Sequence, residues 1–143
     1  MLEVARVTSA DIVYDLGCGD GRIVVEAAKL FGARGVGIDY DARLCAEARY
    51  RAEREGVSHL VEIRHEDALE ADISDATVVA LYLLPASNAK LRPKLQALRP
   101  GTRIVSHDYG IQGWEPLSST VVEIQDLEKH TIFLWTVGSE SRR

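Results

Sequence analysis

An α/β fold, with a mostly parallel sheet, helices on both faces and a closing antiparallel hairpin, is what this sequence predicts. Three observations carry it. Helical and strand-like apolar patterns alternate along most of the chain, as they do when crossover helices join parallel strands. A glycine-rich turn, Asp15-Leu16-Gly17-Cys18-Gly19-Asp20-Gly21, joins the first strand to the first helix. The last third changes character: Val121 to Leu127 and Thr131 to Val137 flank a short polar turn, Glu128-Lys129-His130. That is the pattern of a hairpin.

The elements follow in order. Asp11 to Leu16 reads as the first strand. Gly21 to Phe31 reads as a helix, with Ile23, Ala27 and Leu30/Phe31 on one face and Gly32 as its stop. Gly35 to Asp39 makes a second strand, and Asp41 caps a helix from Ala42 to Glu55 that ends at Gly56. Val61 to His65 and Thr77 to Leu84 are the third and fourth strands. Ala86 to Leu98 is helical, but Pro93 lacks an amide donor, so two short helices or a kink are expected. Pro100-Gly101 turns the chain into a fifth strand, Arg103 to His107.

Length and charge exclude several classes. At 143 residues the chain suits a single domain. No apolar run approaches the ~20 residues that span a bilayer, and no secretory signal pattern opens the chain. The two cysteines, Cys18 and Cys45, have no metal-ligand or Cys-x-x-Cys spacing, which suits a reduced, cytoplasmic setting. A net charge of −5 argues against nucleic-acid partners, which are held by clustered Lys and Arg, and is the sign that attracts cationic ones. Arg43, Arg49, Arg51 and Arg54 alternate with Glu47, Glu53 and Glu55, as on a solvated, salt-bridged helix face.

The turn after the first strand carries the most chemistry. Glycines there bring bare backbone against a ligand, and the following helix N-terminus aims free N–H groups at it. The dinucleotide fingerprint Gly-x-Gly-x-x-Gly has a third glycine where this chain has Arg22. Asp15 and Asp20 would also repel a pyrophosphate. S-adenosylmethionine has no phosphate, and its sulfonium and α-amino cations suit both carboxylates. Asp15, Gly17, Cys18, Gly19, Asp20 and Gly21 are therefore candidate cofactor contacts.

Ligands of open α/β sheets bind beyond the carboxyl ends of the strands. At the second strand end, Asp39 is placed to accept both ribose hydroxyls, and Tyr40 to lie against the adenine face. At the third, Asp67 and Ala68 are placed for the adenine edge. At the fourth, Leu81 is assigned to the cofactor and Tyr82, Leu84 and Pro85 to the acceptor. This wall is apolar with one tyrosine, and lacks the polar-Pro-Pro-aromatic run that holds planar amide or base nitrogens. It suits an amine that must lose its proton; lysine has a reference pKa of ~10.4, which desolvation lowers. His107 at the fifth strand end is a further acceptor-side candidate, either lining the channel or binding Asp108. No histidine shows the sequence spacing of a metal site, and none is expected.

With these residues in place, the chain resembles class I S-adenosylmethionine-dependent methyltransferases over nearly its whole length. Asp-Leu-Gly-Cys-Gly-Asp-Gly-Arg-Ile, Ala-Thr-Val-Val-Ala-Leu-Tyr-Leu-Leu, Leu-Arg-Pro-Lys-Leu and Pro-Gly-Thr-Arg-Ile-Val-Ser-His are similar to a narrower group within that class. These are the archaeal broad-specificity protein-lysine methyltransferases and the mitochondrial enzymes that modify lysine in the c-ring of ATP synthase. The resemblance implies a Rossmann-like seven-stranded sheet ending in an antiparallel hairpin. It implies Asp15, Gly17 and Gly19 at the methionine end, Asp39 at the ribose, Asp67 and Ala68 at the adenine, and Tyr82 to Pro85 beside a target lysine. Members of the group begin with about twenty more residues, which cover the cofactor, whereas Met1 to Val4 would fall in the tail of that segment's helix. A small-molecule methyltransferase, or a cofactor-binding module with little transfer activity, are the alternatives.

Overall fold

The run Ile-Val-Tyr-Asp-Leu forms the first strand, β1 (Ile12–Leu16), and the sheet grows outward from it on both sides. The computed structural model describes residues 1–123 and 128–138. After β1 come α1 (Arg22–Phe31), β2 (Arg34–Asp39), α2 (Ala42–Arg54), β3 (Val61–His65) and β4 (Val78–Leu81). Then follow α3 (Pro85–Gln96), β5 (Arg103–His107), β6 (Ser118–Glu123) and β7 (Lys129–Thr136). The seven strands lie in the order β3-β2-β1-β4-β5-β7-β6. Strands β1 to β5 pair parallel, whereas β7 pairs antiparallel with both β5 and β6. Strand order reverses between β1 and β4, so a crevice opens beyond their carboxyl ends.

Alternation along the strands divides the core between the two faces. On one face Tyr14, Leu16, Ile38, Leu81 and Ile104 pack with Leu91 and Leu95 of α3 and with Trp135. On the other, Val13, Val78, Ala80 and Val105 meet Ala27 of α1 and Leu2, Ala5 and Val7 from the start of the chain. The helix α2 joins α1 and β3 through Val24, Cys45, Ala48 and Ile63. Asp15, between Val13 and the end of β1, points to the α1 face.

Helix ends follow their sequence signals. Gly32, at φ 69°, sends its N–H back to Ala28 and closes α1. Asp41 caps α2 by accepting from the N–H groups of Arg43 and Leu44. The arginine-rich face of α2 is partly paired as expected: Arg43 meets Glu47 at 3.7 Å, but Arg51 reaches out of the helix to Asp20.

Several boundaries differ from the sequence expectation. The fourth strand stops at Leu81 rather than Leu84, because Pro85 starts α3 at a position where its fixed φ and missing N–H cost nothing. Pro93 does not divide α3. It stands in the last turn, where it deprives only the Ala89 carbonyl of a partner, and one helix runs from residue 85 to 96. The hairpin begins at Ser118, three residues before the predicted strand start, and 124–127 of that strand lie outside the described residues. The first residues form turns rather than the end of a helix. They are tied down by Arg103, whose guanidinium donates to the Ala5 and Arg6 carbonyls at 2.6 and 3.1 Å.

Candidate active site

The turn between β1 and α1 is shaped by backbone conformation. Gly17, Gly19 and Gly21 all have positive φ, at 76°, 56° and 83°. At Gly21 a side chain is excluded twice over, since a Cβ would also lie 2.8 Å from that of Ala48 in α2. Gly21 is also the N-cap of α1 and supplies no side-chain cap, so the first turn keeps donors for water or a ligand. The turn is sewn to β2: the Gly17 and Cys18 N–H groups both donate to the Ile38 carbonyl, at 2.8 and 3.0 Å. Gly19 N–H donates to Asp39 Oδ2 at 2.9 Å.

Two hollows meet at Gly17. The first is lined by Asp39, Tyr40, Asp67, Ala68 and Leu83, with Ser87 and Lys90 of α3 behind them. The second is lined by Asp15, Gly17, Cys18, Gly19, Asp20 and Tyr82. All the sequence-predicted cofactor residues except Gly21 and Leu81 line one of these two adjoining hollows at the topological switch point, the adenosine-side candidates in the first and the methionine-side candidates in the second.

Asp15 is the electrostatic centre of the second hollow. Its carboxyl is fully buried, and Oδ1 has no hydrogen-bond partner among the described residues. Burial, with the nearby charges of Asp39 and Asp20, pushes it up to about 8. An orphaned acid facing an open crevice is a site for a cation that also donates hydrogen bonds. Cys18 beside it is a buried thiol, pushed up to about 12 by burial and by the Asp15 and Asp39 charges, and so is no nucleophile.

The ribose-side acid is already partly engaged. Asp39 Oδ1 accepts from the Asp41 N–H at 2.9 Å while Oδ2 holds Gly19. Each carboxylate oxygen accepts more than one bond, so both retain capacity toward the crevice. Asp67 Oδ1 accepts from the Leu69 N–H at 2.9 Å and shapes its loop. Tyr40 is 81% exposed, and its carbonyl meets His65 Nε2 at 2.9 Å, which pins the ends of β2 and β3 together.

Three expectations need correction. The Asp20 carboxylate is turned to Arg22 and Arg51, at 3.0 and 3.2 Å, so its charge is largely met by arginines rather than left for a cofactor cation. Leu81 is fully buried in the core beneath the crevice and lines neither hollow. Its place is taken by Leu83, whose side chain lies where a Cβ on Gly17 would be. His107 also lines neither hollow: it is buried behind Tyr82, the two rings stacked with centroids 4.1 Å apart. Leu84 and Pro85 are exposed on the rim beyond. Spacing along the chain places no histidine in a metal site; through space, His107, Asp108 and His130 lie in one cluster.

Lys90 and Arg51 carry no site signal in the sequence, and Leu83 was expected only within the acceptor-side span Tyr82 to Pro85, not at the adenosine-side hollow. Leu83 sat in a run read as continuous strand, and nothing along the chain signals which helical arginine meets a turn thirty residues earlier.

A seven-stranded sheet of this order, with a glycine turn after β1, a buried unpaired acid beside it and an acid at the end of β2, defines an S-adenosylmethionine-dependent methyltransferase domain. Comparison with known proteins agrees. The family model for the ANTKMT methyltransferase domain matches residues 15–118. The chain belongs to that family, and its cofactor is S-adenosyl-L-methionine. It is 45% identical over 141 residues to a protein-lysine N-methyltransferase of Saccharolobus islandicus (strain REY15A), covering 96% of this chain and 86% of that one. It is 34% identical over 107 residues to the adenine nucleotide translocase lysine N-methyltransferase of Mus musculus, covering 74% of this chain and 47% of that one. The crystal structure of an RNA methyltransferase from Salinibacter ruber in complex with S-adenosyl-L-homocysteine superposes with a TM-score of 0.88 at 50% identity, covering 96% of this chain and 88% of that one. No described helix is long and apolar enough to cross a membrane.

Proposed function

We infer that this methyltransferase acts on lysine side chains of protein substrates. The observation that carries the reading is the rim of the methionine-side hollow. Tyr82 is 58% exposed at the edge of the hollow that contains Asp15, and Leu84 and Pro85 continue outward from it into solvent. An open apolar and aromatic rim suits a long side chain presented from a macromolecule better than an enclosed small molecule. The lysine acceptor of the Saccharolobus relative, and the net charge of −5, favour a cationic protein over a polyanion.

When bound, S-adenosylmethionine supplies an electrophilic methyl group on a sulfonium. The Asp15 carboxylate and the N–H groups of the glycine turn would hold its methionine end. Asp39 would take the ribose hydroxyls, and the Asp67–Ala68 segment the adenine. Tyr82 would lay its ring along the lysine stem and exclude water from the amine, which lowers the amine's pKa and leaves the lone pair free. Water at the open rim would take the ammonium proton before transfer, leaving the lysine lone pair free for the methyl group that the bound cofactor would supply. No described side chain need act as a base during transfer, because alignment supplies most of the acceleration.

Radiolabelled methyl transfer tests the reading. Incubated with a lysine-rich protein, with transfer RNA and with a small-amine mixture, the enzyme is expected to label only the protein, on lysine after hydrolysis. Label confined to RNA or to small amines would overturn it.

A further inference from the structure

The cluster at the end of β5 offers three of the four ligands of a tetrahedral metal site. We propose that His107 Nε2, His130 Nδ1 and Asp108 Oδ2 bind a divalent cation of the zinc class beside the acceptor rim.

The three atoms form a triangle. Nε2 of His107 lies 2.8 Å from Nδ1 of His130, and Asp108 Oδ2 lies 3.6 Å from the first and 3.4 Å from the second. Zinc bonds of about 2.0–2.2 Å to nitrogen and oxygen at tetrahedral angles place neighbouring ligand atoms about 3.3–3.5 Å apart. The carboxylate distance to His130 falls on that edge, and the distance to His107 lies just beyond it. They are longer than the ~2.7–2.9 Å of a charge-assisted hydrogen bond. The imidazole nitrogens are closer, at the separation of an N–H···N hydrogen bond. Metal binding would open that contact by about half an ångström, its proton passing to the other nitrogen of its ring or to solvent.

The backbone aims the carboxylate. Asp108 has φ 62°, a conformation uncommon outside glycine. It is held there from both sides by one residue: its N–H donates to the Thr131 carbonyl at 2.7 Å, and its Oδ1 accepts from the Thr131 N–H at 2.9 Å. With Oδ1 so occupied, Oδ2 is left facing the two imidazoles. Strain of this kind persists where surrounding structure over-determines it, and it gathers at ligand sites. Two nitrogens and one carboxylate oxygen suit Zn²⁺ and its neighbours rather than Ca²⁺ or Mg²⁺, which prefer all-oxygen sets.

Such an ion would have a local consequence. His107 ends β5 and His130 lies near the start of β7, so the metal would tie these strands together at their open end. It would also fix the imidazole on which Tyr82 stacks, and with it one wall of the acceptor rim. Asp108 is the most exposed ligand, with 37% of its side chain accessible, so the fourth position opens to water on that side. Three protein ligands with an open position make an exchangeable site rather than a closed structural one.

Cobalt(II) is the probe, because tetrahedral Co²⁺ absorbs visibly and strongly. Added to chelator-treated full-length protein, it is expected to bind at one equivalent with tetrahedral d–d bands, and Zn²⁺ to displace it and raise the thermal midpoint. His130→Ala should weaken binding by about a hundredfold or more, and Asp108→Asn, which keeps a residue tolerant of positive φ, by at least about tenfold. His59→Ala, at an exposed histidine elsewhere, should change nothing. Circular dichroism of each variant confirms folding. Octahedral, weakly coloured cobalt, or bands that survive both His130→Ala and Asp108→Asn, would overturn the proposal.

Discussion

Asp39 Oδ2 accepts the Gly19 N–H at 2.9 Å, across the gap between the end of β2 and the glycine turn after β1. The second carboxylate oxygen accepts the Asp41 N–H, at the N-cap of α2. One side chain therefore sets the height of the cofactor turn and the start of the next helix while keeping lone pairs for a ligand. This link explains why the acid ending β2 matters before anything binds. Without it, the left-handed glycine turn would be fixed on the β2 side only through the Ile38 carbonyl.

Replacing that acid should therefore harm binding more than one lost ribose contact. Asp39→Ala removes charge-assisted hydrogen bonds worth roughly 1.5–3 kcal/mol each and frees Gly19. The dissociation constant for S-adenosylmethionine should rise about tenfold or more by calorimetric titration. An unchanged constant would reduce Asp39 to a structural brace.

Asp15 makes the ligand-free protein pH-sensitive. Its folded-state pKa is raised from 3.8 to about 8, so between those values the native state holds a proton that the unfolded chain has released. Stability must then fall as pH rises through that window, and the loss is complete above about 8. Asp15→Asn removes the titration. Its thermal midpoint without ligand should exceed that of the parent by roughly 5 °C or more at pH 8 and match it near pH 4, while cofactor affinity drops. Parallel midpoint-versus-pH curves for the two proteins would refute the assignment.

Tyr82 separates acceptor from cofactor. It stacks on His107 and borders the hollow, yet most of its ring is exposed. Tyr82→Ala should lower kcat/KM for a protein acceptor by about tenfold, from the loss of roughly 1–2 kcal/mol of aromatic contact with the lysine stem. Cofactor affinity should stay within about twofold. An equal loss in both would mean that the ring supports the cofactor instead.

Gly21→Ala tests the turn itself. The new methyl would sit 2.8 Å from the Ala48 Cβ and 3.1 Å from its Cα, at φ 83°. Left-handed backbone and overpacking together should cost about 2–4 kcal/mol in denaturant unfolding. A change below about 0.5 kcal/mol would show that α1 and α2 can separate freely at that point.

Much of this was readable along the chain because its causes are local. Alternating apolar patterns, the caps at Gly32 and Asp41, and acids at successive strand ends are features of neighbouring residues. The boundaries that moved are those where one residue type permits two outcomes. Pro85 starts a helix, whereas Pro93, by the same chemistry, was expected to break one. The helix instead runs through Pro93, losing only the one hydrogen bond to the Ala89 carbonyl, and ends within a turn at Gln96. Leu81 and Leu83 differ by two positions and share an apolar character, but the strand ends between them. One is core, and the other stands over Gly17.

By itself, the sequence determined the α/β class, the glycine turn and the cofactor chemistry, since each rests on periodicity, backbone permissiveness or charge within a short window. Only the tertiary structure decided which acid is left unpartnered beside the turn. Asp15 and Asp20 look alike in the turn, yet burial leaves Asp15 without a partner, while Arg51, thirty-one positions away from Asp20, satisfies that carboxylate. Tertiary structure also brought His107 to His130 across a separation of 23. Electrostatic environment and ligand geometry depend on distance through space, and a parallel sheet places residues far apart in sequence side by side.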